Sequence, residues 1–254
     1  MASLTQVPSG VPASAPTPGP SGRIRQDPPA AQRGGIWRQF FVAMSMLYVL
    51  LALVGFIPSY FTGPQVPVLA DVHGVLMLAW LALFCTQVRL VFSGNLQAHR
   101  RFGVLGMSLA AVIWASMLLL TITSMLRYKP ELDSYLYDVL LVELGLLLLF
   151  PVFAVWGLLA RHRPEEHRRL MAIATLMLVQ AGLDRMHWQP LPGPMLVWIL
   201  LIPFYLFDLF TRRRVHFVTV TATMLIVAYH VTVILLWGWP AWHQFWFGVV
   251  HKVA

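Results

Sequence analysis

The stretch "RRLMAIATLMLVQAGLDRMH", residues 168–187, decides how many times this chain crosses a membrane. It opens on two arginines, closes near Asp184 and Arg185, and carries Gln180 inside. It is the least apolar long run in the chain. Yet about 20 residues rising about 1.5 Å each span a hydrocarbon core of about 30 Å. Counting it as a span sets the side on which every later loop falls.

Composition supports a membrane setting. Of 254 residues, 58% are hydrophobic and 11% charged, and the mean hydropathy is +0.70. A soluble domain carries about a quarter charged residues. Ten Trp and fifteen Phe suit interfacial belts and lipid-facing helices. Six other apolar runs have spanning length: 38–58, 68–91, 103–125, 137–160, 194–211 and 217–237. With 168–187 they make seven spans. The expected fold is an all-α, polytopic transmembrane bundle over residues 36–238. A Pro/Ala/Ser-rich tail at 1–35 precedes it and reads as disordered. A short aromatic segment at 239–254 follows and reads as interfacial. The tail lacks the apolar region and small-residue cleavage site of a signal peptide, so the first span reads as an uncleaved anchor.

Basic residues give the orientation. Arg23, Arg25, Arg33 and Arg38 lie before or at span one, and Arg89, Arg100 and Arg101 lie between spans two and three. Arg161, Arg163, Arg168 and Arg169 lie between spans four and five, and Arg212, Arg213 and Arg214 between six and seven. That places 14 of 18 basic residues on one side, leaving Arg127, Lys129, Arg185 and Lys252 on the other. The positive side is cytoplasmic, so the N-terminus is cytoplasmic and the C-terminus is not. Six or eight spans would spoil this alternation. The net charge of +8 thus follows topology and implies no nucleic-acid partner. The single cysteine, Cys85, excludes an internal disulfide and reads as a small buried hydrophobe.

Two stretches nearly repeat: "AHRRFGVLG" (98–106) and "EHRRLMAIA" (166–174). Each sets His-Arg-Arg at the mouth of a span. One reading is orientation, with Arg100, Arg101, Arg168 and Arg169 reaching lipid phosphates. The other is a grip on an anionic group, such as a haem propionate, a quinone ring edge or a phosphorylated substrate, helped by the helix N-terminus. His99 and His167 are then candidate cofactor ligands on the cytoplasmic side.

Ionisable residues inside apolar spans are costly and mark function. His73, Glu143 and His230 lie about 8, 9 and 10 Å below the outer surface by residue count. Gln180 lies at a similar level, Asp184 nearer the surface, and Asp71, Arg185 and His187 form a shell above. His73 and His230 are candidate axial ligands of a haem b, and Gly74 leaves room for a flat ring. His73, Glu143 and His230 are alternatively a set for a transition metal. Glu143 and Asp184 are candidate proton carriers for quinone or transport chemistry. The remaining alternative is an interhelical clamp worth about 0.6 kcal/mol per hydrogen bond.

Absent patterns narrow the field. The sequence has no Gly-rich phosphate loop, CxxC, CxxCH or HExxH, and no Ser-His-Asp set by pattern. Lys129 is outside the apolar runs, which excludes a retinal Schiff base on span seven.

"GFIPSYF" (55–61), "DVHGVLMLAWLALFCTQVRLV" (71–91), "HRRFG" (99–103), "HRRLM" (167–171) and "DLFTRRRVH" (208–216) resemble a group of bacterial inner-membrane proteins of seven spans. The resemblance covers most of 38–216. His73, Gly74, Trp80, Gln87, His99, Arg100, Arg101, Gly103, His167, Arg168 and Arg185 match its pattern. It implies the fold and a bacterial inner-membrane location, and carries no activity. A looser similarity to membrane b-type cytochromes rests on histidines near opposite faces. Two functional expectations follow. One is a redox protein with haem b or a metal, linked to quinone. The other is a transporter or an accessory subunit of a membrane complex, without catalysis.

Overall fold

The computed structural model describes residues 30–62, 67–127, 135–186 and 193–253. The described residues are helical, with eight α-helices in chain order. They are α1 (Ala30–Thr62), α2 (Val68–Phe92), α3 (Leu96–Arg127), α4 (Tyr135–Leu159), α5 (Pro164–Arg185), α6 (Gly193–Arg212), α7 (Phe217–Leu236) and α8 (Pro240–Val253). A single 3₁₀ turn, Ala160–His162, joins α4 to α5. Helix α1 begins inside the segment read as a disordered tail, and residues 1–29 of that tail lie outside the described residues.

Among the described residues six helices are long and apolar enough to cross a membrane: α1, α2, α3, α4, α6 and α7. Helix α5 is missing from that set. Its place in the bundle explains why. It packs against α1, α4, α6 and α7, and touches α2. From Leu170 to Leu183 all residues but Met171 and Ala181 are buried. A helix wrapped by protein has no need of a lipid-facing stripe, so charge and amide groups are tolerated along it. The outer helices show the opposite pattern, with Val104, Phe210 and Leu235 exposed.

Contacts at both ends show that α1 to α7 alternate in direction. At one end the starts of α1, α3, α5 and α7 meet the ends of α2, α4 and α6. Arg168 lies over the Trp37 ring, His99 faces His167, His167 bonds to Gly157, and Asp208 bonds to Thr219. At the other end Tyr229 donates to the Val142 carbonyl, Trp198 to His230, and Arg185 covers Phe56.

Close approaches rely on glycine. A Cβ at Gly55 would collide with the Gly182 carbonyl, so α1 and α5 cross there backbone to backbone. A Cβ at Gly145 would collide with the Tyr229 ring. On α3, Gly106 and Ala110 are buried and Gly106 faces Leu83 of α2, whereas Ala111 and Ala115 lie on the exposed side.

Helix α8 is docked onto the start of α4. The Asp138 carboxylate accepts from Gly238 N and from His243 Nε2, both at 2.9 Å. Trp242 Nε1 donates to the Tyr137 carbonyl at 2.6 Å.

Candidate functional site

The basic end is built around α5. Arg169 is 1% exposed and its partner Asp208 is 0% exposed. The other Asp208 oxygen accepts from Thr219 Oγ1 at 2.7 Å and from His216 N at 3.0 Å. Arg169 Nη1 also donates to the Glu165 carbonyl at 2.7 Å. Arg212 pairs with the Glu165 carboxylate. Arg168 lies 3.2 Å from the centroid of the Trp37 ring, a cation–π contact. Its charge is therefore held by an indole and by Glu165, at 3.9 Å.

The two His-Arg-Arg stretches are consequently not equivalent. Arg100 and Arg101 are exposed on the outer helix α3 and remain available to lipid phosphate. Arg169 belongs to the interior, where it needs a buried counter-charge. The difference follows from the helices that carry them, since α3 is peripheral and α5 central. Asp208, Thr219, His216 and Trp37 were missed by sequence reasoning. The available signal was Asp208 itself, an acid within span six at the end where Arg169 lies.

His216 Nδ1 accepts from Val218 N at 3.2 Å and caps α7. Burial lowers its pKa, and the nearby Arg169 and Arg212 guanidinium groups lower it further.

The histidines of the two stretches meet. Their ring centroids are 6.2 Å apart and the planes are nearly perpendicular, at 86°. His167 Nδ1 lies 2.8 Å from the Gly157 carbonyl oxygen. A carbonyl only accepts, so Nδ1 carries the hydrogen and Nε2 the lone pair. His99 Nδ1 is buried with no hydrogen-bond partner among the described residues. Gln87 Nε2 donates to the His99 carbonyl at 3.2 Å, and Gln87 Oε1 is likewise buried without a partner. Gly103 lies beside this amide, and a Cβ there would sit in ordinary contact with Gln87 Nε2, at 3.6 Å.

The outer polar layer is arranged differently from the sequence expectation. His73 Nδ1 lies 2.8 Å from Ser116 Oγ. Ser116 donates its own proton to the Ile113 carbonyl at 2.7 Å, so it accepts from His73, whose Nε2 keeps the lone pair. Glu143 is half-buried on α4, toward Thr121 of α3 and Arg185 of α5. Arg185 also acts on His73 and on Asp184. Tyr229 lies beside Gln180 and Asp184. His230 is buried, accepts from Trp198 Nε1 at Nδ1 (2.9 Å), and points Nε2 at Gln180 Oε1 (3.4 Å).

These partners bear directly on the cofactor expectations. Among the described residues no three His, Cys, Asp or Glu side chains are grouped to hold a metal ion. His73, Glu143 and His230 share a depth but turn to different neighbours, on α3, on α3 with Arg185, and on α5 with α6. As an axial haem pair His73 and His230 fit poorly. His73 presents a lone pair, but both His230 nitrogens are engaged, and Nε2 carries hydrogen while Nδ1 accepts. Gly74 does have open space above it. Asp71 is exposed, and Asp184 and Arg185 are exposed at the end of α5. His187 and Lys129 lie outside the described residues.

Comparison with protein families, with curated proteins and with solved structures finds no match to this chain, and its function is read from its own geometry.

Proposed function

We propose that the chain is a seven-span protein of a bacterial inner membrane, N-terminus in the cytoplasm, whose outer half is a proton relay. Glu143 and Asp184 take up and release protons, His73 Nε2 serves as the base, and Arg185 at the end of α5 supplies positive charge at that end of the bundle. The observation that carries this reading is the His73 ring, which Ser116 holds through Nδ1 so that Nε2 keeps a lone pair, with Glu143 half-buried at the same end of the bundle. Half-buried His73 and Glu143, with the exposed Asp184 at the end of α5, are of the kind that line a proton path. Seven alternating helices and 14 of 18 basic residues toward one side support the topology. The resemblance to seven-span bacterial inner-membrane proteins agrees with the location.

Carboxyl proton exchange serves both quinone reduction and proton-coupled transport. Infrared difference spectroscopy of the purified protein in nanodiscs tests the shared step. Stepping pH across about 5 to 8 changes a carboxyl band, and Glu143→Gln or Asp184→Asn removes part of it. A carboxyl region that ignores pH, or a change untouched by either variant, overturns the relay. Adding a short-chain quinol or imposing a pH gradient across vesicles then separates the two uses.

A further inference from the structure

We propose that His99 and His167, with the Gln87 side-chain oxygen beside them, form a copper(I) site at the basic end of the bundle. It involves none of the relay residues and does not rest on that reading.

The donor atoms are prepared as ligands are. His167 gives Nδ1–H to the Gly157 carbonyl and keeps its lone pair on Nε2. That backbone bond is the usual outer support of a metal-bound imidazole, fixing tautomer and ring angle. His99 Nδ1 and Gln87 Oε1 are buried with no partner among the described residues. Buried polar atoms left unsatisfied are costly, and a cation would satisfy both. The amide is held in place, because its nitrogen donates to the His99 carbonyl.

The spacing agrees. A metal about 2.0 Å from each nitrogen, with each nitrogen about 1.1 Å from its ring centre, separates two nearly collinear imidazoles by about 6 Å. The observed separation is 6.2 Å, with planes at 86°. With the two nitrogens as the strong ligands and the Gln87 oxygen only a weak lateral contact, each ring can rotate about its metal–nitrogen axis, so perpendicular planes carry no penalty.

The electrostatics select the ion. All three donors are neutral, and Arg100 and Arg168 follow the histidines in sequence. No carboxylate joins the pair in a ligand group among the described residues. A divalent ion needs anionic ligands more than a monovalent one does. Imidazole suits copper, and the monovalent ion accepts two neutral nitrogen donors in a line.

The test is copper(I) titration of the full chain in nanodiscs under reducing, oxygen-free conditions, against a colorimetric chelator. The expected result is one copper per chain, with two imidazole nitrogens seen by X-ray absorption. His99→Ala and His167→Ala each weaken binding at least about tenfold, while His73→Ala leaves it unchanged. His99→Gln and His167→Gln retain a polar side chain. Loss of copper from these variants, with unchanged thermal unfolding, separates ligation from packing. Substoichiometric copper in the unaltered protein, or copper retained by the Gln variants, overturns the site. Preference for zinc over copper overturns the choice of ion.

Discussion

Arg169 of α5 and Asp208 of α6 form an ion pair closed off from solvent at the basic end of the bundle. Removing one partner strands a charge among Phe207, Trp37 and the helix backbones. Asp208→Ala or Arg169→Met should each cost about 3–5 kcal/mol. The double variant Arg169→Met/Asp208→Leu should cost clearly less than the sum of the two. Reversible unfolding in mixed detergent micelles measures this. Single variants costing under about 1 kcal/mol would place the pair with surface salt bridges and refute its structural role.

His216 provides a pH signature. Its folded pKa is lowered by burial, then by Arg169 and Arg212, while Asp208 and Glu165 act in the opposite sense. The folded state therefore prefers neutral His216. Its stabilising contribution is present above the unfolded value of about 6.5 and is lost as pH falls through the lower folded value. Protonation also consumes the lone pair that caps Val218. His216→Asn keeps a capping side chain and does not titrate. The melting temperature should fall with acid less steeply in that variant than in the parent. Equal slopes would exclude His216 as a contributor.

Gly145 and Gly74 provide a matched pair. A methyl group at Gly145 meets the Tyr229 ring, and one at Gly74 meets nothing within 4 Å. Gly145→Ala should destabilise by about 1–3 kcal/mol as Tyr229 is displaced. Gly74→Ala should be neutral or stabilising by up to about 1 kcal/mol through helix propensity. The same micelle unfolding reads both. The reverse order would mean that α4 and α7 do not meet as described.

Topology is open to chemical labelling. In a Cys85→Ala background, Ser93→Cys reports the α2–α3 turn and Trp239→Cys the α7–α8 turn. An impermeant maleimide added to intact spheroplasts should label position 239 and reach position 93 only after permeabilisation. Labelling of both on the same side would exclude an odd number of crossings between the α2–α3 turn and α8.

The apolar runs made the outer helices legible, because lipid demands a continuous apolar surface. Helix α5 was harder to read. Its charges and Gln180 look unlike a span until its neighbours are seen to screen it. Depth was also easier to read than direction. Counting residues gives height along a helix axis but not which neighbour a side chain meets. His73, Glu143 and His230 look like one ligand set for that reason, yet they turn to Ser116, Thr121 and Trp198. The meeting of His99 with His167 had a signal in the repeated His-Arg-Arg. Asp208, the counter-charge to Arg169, was equally visible in the sequence and was passed over.

The central position of α5 has a consequence for how the chain is made. Ribosomes deliver α5 before α6 and α7, so Arg169 leaves the exit tunnel ahead of Asp208. During that interval α5 has neither its counter-ion nor its full wall of neighbours. The later helices must therefore be threaded before the earlier one can settle. Chains ending after α5 should be stalled near the insertion machinery or degraded, whereas chains extending through α7 assemble.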